Sequence, residues 1–73
     1  MGQVVRAAKK LKFKGNWREL RMGMNVESEH SNVVGKSPTA WAKVAKAHLD
    51  ERKDYYSFGL KKGLFSRKEV GLA

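Results

Sequence analysis

Cysteine is absent from this 73-residue chain, which removes disulfide frameworks, thiolate metal sites and thiol nucleophiles at once and suits a reducing interior. Long apolar runs are absent too. Nothing approaches the roughly 18 to 20 residues needed to cross a bilayer, and the N-terminus lacks the uninterrupted apolar stretch of a secretory signal, so a soluble chain is expected. Acidic residues are scarce: seven Asp and Glu face sixteen Lys and Arg, a formal charge of +9. An excess of that size favours a polyanionic partner such as nucleic acid. At this length there is room for one domain near the lower limit of what a single core holds together, so a partner is expected to share the task.

The charge is uneven along the chain. Residues 1–22 carry seven basic and one acidic residue, residues 23–51 three and four, and residues 52–73 six and two. Both ends are basic and the middle is not.

Within residues 3–14, Val4, Ala7, Ala8 and Leu11 fall at helical spacing, with Arg6, Lys9, Lys10 and Lys14 largely opposite. Lys12 sits near the apolar side and Gly15 follows, so this reads as a basic amphipathic arm that orders against a partner. Asn16 is a good N-cap, and Glu19, three residues on, is placed to return its carboxylate to the Asn16 amide. A helix beginning at Trp17 then aligns Trp17, Leu20, Met24 and Glu27 on one stripe, ending an apolar face with a carboxylate. Residues 31–36 show no helical period and read as a loop. Ser37 and Pro38 open the next helix, in which Trp41, Val44, Ala45, His48, Leu49 and Arg52 share a face. Asp54 caps a further turn bearing Tyr55, Tyr56, Phe58 and Leu60, and Gly63 terminates it. Ser66 with Glu69 repeats the capping-box spacing for a short last segment.

The expected fold is all-α, a small bundle of three or four short helices with a basic N-terminal arm. Its divisions are an arm over 1–15, a helical core domain over 16–62 and a basic C-terminal tail over 63–73. Removal of residues 1–14 should therefore leave the core folded.

Two motifs carry a resemblance: Val26-Glu27-Ser28-Glu29-His30, and Ala45-Lys46-Ala47-His48-Leu49-Asp50-Glu51 followed by Asp54-Tyr55-Tyr56. From Met22 to Leu60 the chain resembles a small uncharacterised helical domain family of phages and large DNA viruses, with its pattern Glu-x-Glu-His, Ala-x-x-His-Leu-x-Glu and a Tyr pair. The resemblance implies a compact helical fold and a viral origin, and no biochemical role comes with it. The basic arm and the segment after Leu60 lie outside it.

Glu27-x-x-His30 and His48-x-x-Glu51 form the sharpest constellation, because a carboxylate and an imidazole three residues apart on each of two facing helices is how bundles hold iron, manganese or zinc. The competing reading is a polar pair inside a small core, Glu27 accepting from His48 with a tyrosine hydroxyl nearby. It is favoured because His48 lies at the centre of its stripe whereas His30 lies off the Trp17 stripe. No cofactor is expected. A Glu27–His48 acid–base couple is the weakest reading, as the chain shows no phosphate loop or nucleophile elbow and has little room for a pocket. Tyr55, Tyr56 and Phe58 read as core aromatics before base-stacking ones.

The candidate phosphate contacts are Arg6, Lys9, Lys10, Lys12, Lys14, Arg18 and Arg21 at the front, and Lys61, Lys62, Arg67 and Lys68 behind, where Arg52 and Lys53 add to the basic end. No groove-reading motif is present, so contacts to phosphate rather than bases are expected. A membrane-surface arm is disfavoured by its Ala and Val face. The sequence thus points to a non-enzymatic accessory or structural protein, in a virion or the host or bacterial cytoplasm. Such a protein docks on a protein partner and touches nucleic acid with its basic ends. A metal-binding helical domain and a component of a ribonucleoprotein particle are the alternatives.

Overall fold

A computed structural model describes residues 2–72. Five helices follow in order: α1 (Gly2–Lys10), α2 (Trp17–Ser28), α3 (Ser31–Val34), α4 (Pro38–Glu51) and α5 (Tyr55–Lys61), with no strand among the described residues. The all-α expectation holds. α2 and α4 form the main pair, α1 lies across both, and α5 closes against α2.

The pair approaches closely at Gly23. A side chain there would drive its Cβ into the Tyr56 ring and the Ala45 methyl, so only glycine lets the two helices and the tyrosine meet. Ala42, Ala45 and Leu49 are the buried residues of α4, while Trp41, Val44 and His48 are half-buried. The buried stripe is therefore rotated by about one position from the Trp41–His48 line. Trp41 instead uses its indole, donating Nε1–H to the Gly35 carbonyl at 2.7 Å.

Along α2, Leu20, Met24 and Glu27 are buried as the stripe predicts, joined by Glu19, Met22, Gly23 and Val26. Helices lie on several sides of α2, which widens its buried arc beyond one stripe. Trp17 does not join the core. It stands at the end of α2 with 37% of its surface exposed.

The N-terminal segment is not an arm. α1 buries Val4, Ala7 and Ala8, and Phe13 beyond it is buried as well. The partner it orders against is the rest of the chain. The C-terminal segment is likewise tied down, since Val70 is buried, its carbonyl accepts from Asn25 Nδ2 at 3.3 Å, and Phe65 packs beside Tyr56 and Gly59. Ser66 and Glu69 exchange both bonds of a capping box, at 3.0 and 3.1 Å, around a single turn. The loop expected over 31–36 contains one helical turn, α3, before Gly35 breaks it at φ 115°.

Three corners end in the same pair of backbone bonds. Lys12 and Phe13 donate to the carbonyls of Lys9 and Ala8, Gly63 and Leu64 to those of Leu60 and Gly59, and Gly71 and Leu72 to those of Lys68 and Arg67. This is the Schellman closure, whose pivot residue takes a left-handed conformation. Gly63 and Gly71 each adopt it at φ 81°, but the first pivot is Lys12, at φ 55°. For a residue with a Cβ that conformation costs about 1 to 2 kcal/mol.

Candidate functional site

Two carboxylates enter the core, and both end on α5. Asn16 caps α2 as its sequence predicts, accepting from the amides of Arg18 and Glu19 at 2.8 and 3.3 Å. The Glu19 carboxylate does not return to Asn16. It crosses to α5, where one oxygen accepts from the amides of Tyr56 and Ser57, each at 3.1 Å. Asp54 sits at the N-cap position of α5 but makes no capping bond, and its carboxylate takes the Arg52 Nε–H instead. A side chain 37 residues away thus satisfies the first amides of α5.

Glu27 accepts the Tyr56 hydroxyl at 3.3 Å inside the core. The expectation of a paired carboxylate holds, but the donor is the tyrosine rather than His48. The imidazole of His48 stacks on Tyr55, centroids 4.5 Å apart and planes 6° from parallel.

The four residues of the metal reading, Glu27, His30, His48 and Glu51, are not brought together. Among the described residues no group of three or more His, Asp and Glu side chains converges as a metal site. Glu27 is buried and committed to Tyr56, His48 is stacked, and His30 and Glu51 are exposed. The physical reason lies at the end of α2. The helix stops at Ser28, and His30 takes φ −105° and ψ 28°, so it leaves the helical face on which the spacing from Glu27 was counted.

Burial, and next the charge of Glu27 beside it, push the Tyr56 hydroxyl far above the ordinary tyrosine value of 10.0. Folding holds this proton, whereas the unfolded chain releases it near pH 10. The contribution is therefore complete below that pH and is lost as pH rises above it. Tyr56→Phe should flatten the fall in urea midpoint between about pH 8 and about pH 11, since it removes the group that titrates only when unfolded.

Phe58 is half-buried, with the Arg52 guanidinium 3.7 Å above its ring and the Lys62 ammonium 5.6 Å from it. Tyr56 is buried and Tyr55 packs against the core, as the core reading predicts, whereas Phe58 stays outside it under the two cations.

All eleven cations assigned to phosphate contact are exposed: Arg6, Lys9, Lys10, Lys12, Lys14, Arg18, Arg21, Lys61, Lys62, Arg67 and Lys68. None joins the two ion pairs found among the described residues, Lys46–Asp50 and Arg52–Asp54. They do not form one patch. Lys12 and Lys14 meet Lys46 and Lys53 around an open groove of about 930 Å³, floored in part by Phe13 and Leu49. Arg6 and Lys10 flank a smaller depression beside Pro38 and Thr39. Sequence distance hides the first grouping, because Lys46 lies in the stretch that counts as acidic. Only the lie of α1 across α4 brings the two stretches together.

A helical domain with an internally satisfied carboxylate–tyrosine core and a cationic exterior defines a class: a small all-α protein. The chain belongs to the family described as a protein of unknown function (DUF5661), whose model matches residues 3–61. The match takes in α1, so the family unit extends well beyond the Met22–Leu60 segment. No curated protein and no solved structure matches the chain.

Proposed function

We propose that this protein is a non-enzymatic nucleic-acid-binding accessory protein that contacts phosphates electrostatically and docks on a protein partner in a larger assembly. The observation that carries the reading is a sorting of charge by burial. None of the sixteen Lys and Arg residues is buried, whereas two of the seven acids, Glu19 and Glu27, lie inside the core. Folding thus moves carboxylates inward and leaves an exterior richer in cations than composition alone implies, which favours a polyanionic partner.

Exposed apolar side chains supply material for the protein partner, among them Val33 at 84% and Leu64 at 69% exposure. The motif resemblance supports a viral setting, with the protein in a virion or in host or bacterial cytoplasm. A ribonucleoprotein particle would use the same cationic surface. No helix among the described residues is long and apolar enough to cross a membrane.

Fluorescence anisotropy with two oligonucleotides of unrelated sequence across a salt series tests the reading. The expected result is equal affinity for both, with log affinity falling linearly against log salt, because phosphate contacts release counterions without reading bases. Absence of binding at low salt refutes it and redirects the charge to an acidic protein surface.

A further inference from the structure

Resting on the nucleic-acid reading, we infer that the groove between the α1–α2 corner and the C-terminal half of α4 is the main subsite for a phosphodiester chain, with Lys12, Lys14 and Lys53 as its phosphate-binding groups.

The first support is the balance of charge inside the groove. Four lysines and three acids line it. Each acid has its own partner: Glu19 the amides of Tyr56 and Ser57, Asp50 the groove's Lys46 at 3.0 Å, and Asp54 the Arg52 side chain outside the groove. Lys12, Lys14 and Lys53 have no carboxylate partner among the described residues, and all three are exposed. Three uncommitted ammonium groups around one concavity favour an extended polyanion.

The second support is independent of charge. Of the three Schellman corners, two place glycine at the left-handed pivot, and the one at the groove places Lys12 there, at φ 55°. Glycine would serve that corner without steric conflict, as it does at Gly63 and Gly71. A strained backbone that holds a long cation at the mouth of a concavity is the pattern expected where stability is traded for binding.

The test uses the full chain and a short single-stranded oligothymidylate. Lys12→Gly alone should raise Tm while weakening affinity roughly fivefold at about 0.1 M salt, the factor one single-strand phosphate contact contributes. A purely structural role for Lys12 predicts the gain in Tm without the loss. The triple variant Lys12→Gly, Lys14→Ala, Lys53→Ala should bind roughly a hundredfold more weakly, with a salt slope shallower by about 2. The control triple Lys61→Ala, Lys62→Ala, Lys68→Ala lies outside the groove and should lose distinctly less. Equal losses in the two triples overturn the groove assignment and leave the nucleic-acid reading standing. No binding by the unaltered protein defeats that reading itself. Displacement of the oligonucleotide by stoichiometric inorganic tripolyphosphate would make the groove a small-polyphosphate site and overturn the proposal as well.

Discussion

Deleting residues 1–14 is expected to unfold the protein, not to release a folded core from a charged appendage. The deletion removes Val4, Ala7, Ala8 and Phe13, all buried, and uncovers the faces of α2 and α4 on which α1 lies. Burial of a Val or Phe side chain contributes about 1.5 to 3 kcal/mol, and the two alanine methyls add less. The loss therefore approaches the whole net stability of a domain this small, which lies near the low end of about 5 to 15 kcal/mol. Far-UV circular dichroism of the truncated chain should show little helix and no cooperative melt. A full-length variant with Arg6, Lys9 and Lys10 changed to Gln separates charge from packing. These three residues are exposed, so the variant should melt close to the unaltered protein. A truncated chain that keeps its helix content and cooperative melt would show that α1 is dispensable.

Tyr56→Ala is expected to be the most damaging single substitution. The side chain is fully buried, abuts Gly23 and Phe65, and donates its hydroxyl to Glu27. Truncating a core aromatic costs about 3 to 5 kcal/mol through lost contacts and the cavity left behind. Leaving the buried Glu27 carboxyl without its donor adds about 1 to 3 kcal/mol. The sum is again comparable to the net stability, so the variant should not fold cooperatively at room temperature. Tyr56→Phe keeps the ring and removes only the donor, and should cost about 1 to 3 kcal/mol in a urea titration. If Tyr56→Phe costs nothing, the Glu27 bond is not a stabilising element of the core.

The parts of this fold that were legible in the sequence are those whose partners lie within one turn. Asn16 and Ser37 cap α2 and α4, accepting from amides two or three residues ahead, and the Ser66–Glu69 box closes on itself. Gly63 ends α5 in the left-handed conformation its position implies. The Leu20, Met24, Glu27 face and the burial of Ala45 and Leu49 were legible for a related reason, because helical period alone places those residues on one side.

The candidate site was legible only in its parts. Its lysines are plain in the composition, but Lys12 and Lys14 reach Lys46 and Lys53 only through the corner after α1. Spacing also suggested a Glu–His quartet, and spacing is a guide only while the helix continues. α2 ends before His30, so the pattern ran past the geometry that gave it meaning.

What the sequence by itself determined is the all-helical character, the start signals of the central helices and the large excess of positive charge, each set by local backbone chemistry or by simple count. What only the tertiary structure decided is the partner of each long-range group. Glu19 has an acceptable local target at Asn16, and helical spacing offers Glu27 a partner across the bundle in His48, yet both are claimed by α5, whose Tyr56 amide and hydroxyl would otherwise be buried without partners. The same holds for α1, which in isolation is a short basic amphipathic segment. Burying its Val and Ala face on α2 and α4 is what makes it part of the domain. A local pattern states which partners a side chain can reach. The requirement that no buried polar group be left unpaired, and no apolar face left in water, selects among them only once the whole chain is packed.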